Sequence, residues 1–163
     1  MPDDCAYRDL DPGDAAFLLE MLRLAIGWRP PERGGGAPDA VAVAPHVLSD
    51  LGRPGDGGAV AECDGQPMGA CWYRIVPAAT QGHGFAGAGV PELTVAVRPE
   101  HRARGVGGVL LDRAIEHARA AGFEALALTV EVDNPARAMY ARRGFEVVGD
   151  DTSSQTLRRL LAP

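Results

Sequence analysis

The stretch Arg102-Ala103-Arg104-Gly105-Val106-Gly107-Gly108 has the residue types of an anion site. It lies between a strand pattern over 93–97 (Leu-Thr-Val-Ala-Val) and a helix pattern that opens at the glycines and runs to about residue 121. At such a junction the first helical amides lack an internal partner, and the helix dipole places roughly half a positive charge beside them. Glycine carries no Cβ, so an anion can come close to the main chain. Arg102 and Arg104 add full charges. A pyrophosphate suits the site, held by backbone N–H groups near 104–108. A P-loop is excluded, because it needs Gly-Lys-Ser/Thr and all 16 basic residues of the chain are arginines. A dinucleotide fingerprint needs Gly-x-Gly-x-x-Gly in the first βαβ unit, whereas these glycines come late in the chain.

A second segment, Asn134-Pro135-Ala136-Arg137-Ala138-Met139-Tyr140-Ala141-Arg142-Arg143-Gly144-Phe145, follows the next strand pattern. Together the two segments resemble the GNAT N-acetyltransferase superfamily. Its pyrophosphate motif, Arg/Gln-x-x-Gly-x-Gly/Ala, is matched at Arg102, Gly105 and Gly107. Its second signature is matched at Asn134, Tyr140, Gly144 and Phe145. The resemblance implies acetyl-CoA as co-substrate and no metal. It assigns the cofactor to the main chain of Val95, Ala96 and Val97, to the loop Arg102, Ala103, Arg104, Gly105, Val106, Gly107 and Gly108, and to Asn134, Ala136 and Tyr140. The activity implied is transfer of an acetyl group to a primary amine of a small molecule or a peptide. A non-catalytic acyl-CoA-binding sensor would share the pyrophosphate site and differ on the acceptor side. Many members of the superfamily are dimers, so a homodimer is expected by analogy.

The reaction needs a held donor, a base for the amine, a hydrogen-bond donor for the oxyanion, and stabilisation of the leaving thiolate. The resemblance makes Tyr140 the acid for that thiolate. A thiol titrates near 8.5 and tyrosine near 10, so full proton transfer is uphill by roughly 2 kcal/mol. Hydrogen-bond donation by Tyr140 is therefore expected instead. The oxyanion donor is expected to be a main-chain N–H near 95–97. The base is expected to be Glu92, which opens the motif strand and shares a face with Thr94 and Ala96. Glu131, Asp133 and His83 are its rivals. Three loops would line the acceptor pocket: 27–36 with Trp28, 77–89, and 149–154 with Asp150 and Asp151. Asn134 before Pro135 also reads as an ordinary helix N-cap pair.

These residues need elements to hold them. The patterns predict strands over 5–8, 59–63, 68–76, 93–97, 125–132, 145–148 and 156–161, and helices over 13–26, 38–51, 105–121 and 135–143. Asp64-Gly65 marks a hairpin between the second and third strands. The fold expected is α/β: a mixed, largely antiparallel, seven-stranded sheet with about four helices. The resemblance adds two central parallel strands that splay apart. At 163 residues and 46% hydrophobic content the chain reads as one domain over 1–163. A net charge of −6 argues against nucleic acid. No apolar run suggests a membrane span, and the acidic N-terminus does not read as a secretory signal. Cys5, Cys63 and Cys71 show no close-spaced metal pattern, and an odd count without such a signal is expected to mean reduced thiols in a cytoplasm.

Overall fold

The computed structural model describes residues 5–28, 50–75, 89–150 and 153–161. Its elements are β1 (Cys5–Asp9), α1 (Ala15–Ile26), β2 (Gly57–Cys63), β3 (Gln66–Arg74), β4 (Glu92–Val97), α2 (Val106–Ala120), β5 (Ala125–Glu131), α3 (Arg137–Arg142), β6 (Glu146–Asp150) and β7 (Ser154–Leu160). The strands form one seven-stranded sheet in the order β1-β2-β3-β4-β5-β7-β6. Every neighbouring pair is antiparallel except β4 and β5, which are parallel. The mixed, largely antiparallel sheet expected from the sequence is therefore present.

The sheet has two apolar faces. On one, α1 lays Leu18, Met21 and Leu22 against Val60, Ala70, Trp72 and Ala96. On the other, α2 lays Val106, Leu110, Leu111, Ala114, Ile115 and Ala118 against Ala59, Ala61, Cys71, Tyr73, Leu93, Val97, Leu126, Leu128 and Leu157. Both helices follow the 3.6-residue apolar repeat of an element packed on one side. A bidentate pair, Arg98 to Glu20 at 2.8 Å through both Nε and Nη2, ties α1 to the end of β4.

The details show how local chemistry moves element ends. α1 starts at Ala15 rather than 13, because a 3₁₀ turn over Pro12–Asp14 precedes it. There the Asp11 side chain accepts from Gly13 N while Asp14 accepts from Asp11 N, a reciprocal cap. The hairpin loop is tighter than expected. Asp64 and Gly65 (φ 53° and 75°) form a two-residue turn, so β3 begins at Gln66 and includes Pro67 beside the bulge at Ala61/Glu62. α3 is shorter than 135–143, because the Asn134 side chain accepts from Ala136 N at 2.9 Å and holds Pro135 and Ala136 in a turn before the helix. β6 and β7 pair as expected, each shifted by a residue or two at its ends. The helix expected over 38–51 lies mainly outside the described residues, as do the strand end at Val76 and most of loops 27–36 and 77–89.

One expectation is overturned. Cys5 and Cys63 are not separate reduced thiols. They face each other across the β1–β2 register and are joined as a disulfide, 58 residues apart in sequence. Spacing along the chain could not show this, because only strand pairing brings them together. Cys71 is a buried free thiol, and burial raises its pKa far above the ordinary value.

Candidate active site

The opening between β4 and β5 is the centre of the site. The two strands share a single register pair, Glu92 with Ala127, and Ala127 N donates to Pro91 O at 3.1 Å. Beyond that point they diverge toward their C-terminal ends, the splay expected from the resemblance. Backbone groups alternate sides along a strand. Since the Pro91 carbonyl points at β5, the N–H groups of Leu93, Val95 and Val97 also point into the gap. The N–H of Ala96 points the other way, toward β3. Of the three residues expected to serve the cofactor through their main chain, Val95 and Val97 turn their N–H groups to the gap. Ala96 instead contributes a buried side chain to the α1 face.

At the wide end of the gap lies the glycine-rich loop. Arg102 donates from Nε to Val97 O at 2.9 Å, which folds the loop back over the end of β4. This spends part of the Arg102 side chain on scaffolding. Ala103 (φ 60°) and Gly105 (φ 83°, N-cap of α2) are left-handed, and they turn successive amides into a concave nest. Val109 N is the first amide of α2 to reach a carbonyl, Gly105 O at 3.1 Å, so the four amides before it have no helical partner. A Cβ at Gly105 would meet nothing within 4 Å. Space in front of the helix is therefore open, as a diphosphate requires. Gly107 looks toward Met139 and Val97, each 3.6 Å from where its Cβ would stand. Gly108 serves packing: a Cβ there would sit 2.5 Å from Arg143 Nη2, and Arg143 is held by Asp112 (Nε–Oδ1 2.7 Å).

The two candidate catalytic side chains stand on opposite faces of the gap. Glu92 shares the α1 face with Thr94 and Ala96, as alternation required. Burial pushes its carboxyl from an ordinary 4.5 up to about 7, because the charged form is poorly solvated there. Its register partner Arg74 directs its own guanidinium at Asp56 (Nε–Oδ1 3.0 Å) and at Asp50 O (3.1 Å). Tyr140 lies in the α2-face core with Val95 and Val97 nearby in the same cluster, its ring edge-on to Phe145 at 5.8 Å. Burial raises its hydroxyl well above the ordinary tyrosine value. The hydroxyl therefore stays protonated across the physiological range and can donate.

Asn134 uses its side chain on the Ala136 amide, in a turn ahead of α3; the N-cap of the helix is Ala136, not Asn134 as the Asn-Pro pair suggested. Glu131, on the same face as Glu92, accepts from Trp28 Nε1 at 3.2 Å and is half-buried. Asp133 and Asp150 are exposed. His83 and Asp151 lie outside the described residues. Sequence reasoning missed two features. One is the contact between Trp28 and Glu131, 103 residues apart, which closes the end of α1 onto the mouth of β5. The other is Thr129, whose Oγ1 is buried without a hydrogen-bond partner on the Glu92 face of β5. Its place in the period-2 pattern was the only available signal.

Comparison with known proteins agrees with this geometry. The chain is 33% identical to a mycothiol acetyltransferase of Nocardioides sp., aligned over 96% of this chain and 55% of that protein. It thus spans about half the length of that curated relative. Among solved structures it resembles a ribosomal-protein-alanine N-acetyltransferase from Brucella melitensis, with 25% identity, a TM-score of 0.68 and coverage of 95% of this chain and 99% of the other. It also has the fold of yncA of Salmonella typhimurium, solved with its cofactor acetyl-CoA, with 22% identity, a TM-score of 0.68 and coverage of 98% and 95%. Residues 21–145 match the acetyltransferase (GNAT) family, and they contain the splayed strands, the left-handed loop and Tyr140; the chain belongs to that family.

Proposed function

We propose that this protein transfers the acetyl group of acetyl-CoA to a primary amine by direct attack. The observation that carries the reading is the parallel pair β4–β5, bonded at one register point and then open, with the unpaired amides of α2 at its mouth. The diphosphate of acetyl-CoA sits on the amides from about Arg104 to Gly108, with Arg104 supplying charge nearby. The pantetheine arm runs along β4, where Val95 and Val97 offer their N–H groups. Asn134 and Ala136 border the arm from the β5 side.

In the chemical step, the acceptor ammonium loses a proton to Glu92, directly or through a water. The neutral nitrogen attacks the thioester carbon and a C–N bond forms. The Val95 or Val97 amide receives the developing oxyanion. The C–S bond then breaks, Tyr140 donates a hydrogen bond to the leaving thiolate, and the thiolate takes up the extra proton of the attacking nitrogen, leaving the amide and the free thiol of CoA. A carboxyl near pH 7 is suited to removing this proton, because it is ionised yet still basic at working pH. These steps use side chains and main chain alone and call on no metal.

The likeness to mycothiol acetyltransferases favours a small-molecule amine over a protein as acceptor. The Glu131–Trp28 pair supplies polar partners for such a molecule on the Glu92 face. No helix among the described residues is long and apolar enough to cross a membrane. Dependence on acetyl-CoA supports a site of action inside the cell. A homodimer remains a proposal by family analogy.

The test is thiol release from acetyl-CoA across a panel of amines, run beside calorimetry with CoA. Turnover on a small amine with saturable CoA binding is expected. CoA binding with no turnover on any amine would replace the enzyme by a non-catalytic acyl-CoA sensor. Well-folded protein that does not bind CoA would end both readings.

A further inference from the structure

Three soft donors meet at a place the acetyl-transfer chemistry does not use. Cys5 opens β1 and stands opposite Cys63, the last residue of β2. His101 ends a 3₁₀ turn, Pro99–His101, that follows β4. The two sulfurs and an imidazole nitrogen all lie within 4.8 Å of one another. Cys63 is buried, while Cys5 and His101 are partly exposed, so the cluster is walled on one side and open on the other.

We infer that Cys5, Cys63 and His101 form a zinc site in the reduced protein, one that anchors the turn leading into the pyrophosphate loop. Two thiolates and an imidazole are the donor set that selects zinc among common divalent ions. Bond lengths of about 2.3 Å to sulfur and about 2.0 Å to nitrogen put tetrahedral donors roughly 3.5–3.8 Å apart. Donors already gathered within 4.8 Å reach that spacing with side-chain movement alone. Two thiolates neutralise the ion, so no net charge is left in a half-buried place. Water takes the fourth position on the open side.

The disulfide and the metal site are alternative states of the same pair. A low-molecular-weight disulfide, R–S–S–R, converts one to the other: the two zinc-bound thiolates give their electron pair, the Cys5–Cys63 bond forms, and two R–S⁻ and one Zn²⁺ leave. The metal-binding state forms where the Cys5–Cys63 bond is reduced; its effect on diphosphate binding rests on the acetyl-CoA reading, and the donor geometry does not.

His101 gives the site its reach. Its N–H bonds to Arg98 O at 2.9 Å, and the next residue, Arg102, holds Val97 O and begins the left-handed loop. A ligand bond at His101 therefore fixes the turn three residues ahead of Arg104, the first of the amides that bind diphosphate. A disulfide between Cys5 and Cys63 leaves His101 unligated.

The experiment is cobalt titration of protein reduced with a phosphine and handled without oxygen. One equivalent should bind with the charge-transfer and d–d bands of tetrahedral thiolate–imidazole cobalt, and zinc should displace it. Cys5→Ser and Cys63→Ser should lose the thiolate bands, Cys71→Ser should keep them, and His101→Ala should weaken cobalt binding at least tenfold. The oxidised wild type needs no substitution and should bind none, which keeps the test open if a serine variant does not fold. Zinc should tighten CoA binding to the reduced wild type about fivefold or more and leave Cys5→Ser unchanged. Octahedral spectra, or thiolate bands that survive in both serine variants, would overturn the site. Metal binding without any change in CoA affinity would overturn the anchoring. Cobalt spectra report the site even if no amine is ever acetylated, so the two readings fail separately.

Discussion

Glu92 combines a buried place with a titrating group, and both consequences are measurable. In the fold it keeps its proton up to about pH 7, while in the unfolded chain it releases it near 4.5. Between those values the native state binds more protons, so its stability falls as pH rises through that window. The loss approaches on the order of 3 kcal/mol above pH 7. Glu92→Gln should therefore melt at a higher temperature than wild type at pH 8 and at the same temperature near pH 4. The same variant should lose about 100-fold or more in kcat/KM, and with it the rise in activity between pH 6 and 8. If the acidic limb persists in the variant, another group is the base. Tyr140→Phe removes a donor and leaves the ring against Phe145. It should lower kcat by about 10- to 100-fold with little change in KM for acetyl-CoA. Loss confined to KM would make Tyr140 a binding residue only.

At the scale of elements, the loop before α2 carries the most specific geometry. Gly105 stands at φ 83° with open space around its Cα, so its constraint is conformational rather than steric. Gly105→Ala should cost about 1–2 kcal/mol of strain in the left-handed region. Relief of that strain turns the amides away, and CoA affinity should fall about tenfold. Gly107→Ala places a methyl at ordinary contact distance from Met139 and Val97 and should leave denaturant stability unchanged. Equal stability losses for the two variants would show that the nest conformation is not what matters. The strand–turn–helix order of this region was readable from glycine, arginine and alternation. The parity of β4 was not, since it depends on which side of the strand pairs with β3. That parity is why Val95 and Val97, and not Ala96, present amides to the gap.

For the whole molecule, the sheet edge is held by a covalent tie. Closing a loop across 58 residues removes chain entropy worth about 4 kcal/mol from the unfolded state. Reduction in the presence of a chelator should lower denaturant stability by up to that amount, and added zinc should restore part of it. Under denaturing conditions without reductant, a thiol reagent should count one free cysteine, Cys71, and after reduction all three. Three reactive thiols before reduction would mean that the tie does not form.

Residue order alone was enough for the seven strands, for α1 and α2, and for the pairing of an arginine–glycine loop with an Asn…Tyr…Gly-Phe segment. Those features are local: each is set by apolar period, turn chemistry or short spacing, all of which act within one or two turns of the backbone. Three-dimensional pairing was needed for everything that joins distant positions. It joined Cys5 to Cys63, set Trp28 on Glu131, and brought His101 to the sulfurs. It also buried Glu92 deeply enough to shift its titration, because solvation at one carboxyl depends on what every neighbouring element covers.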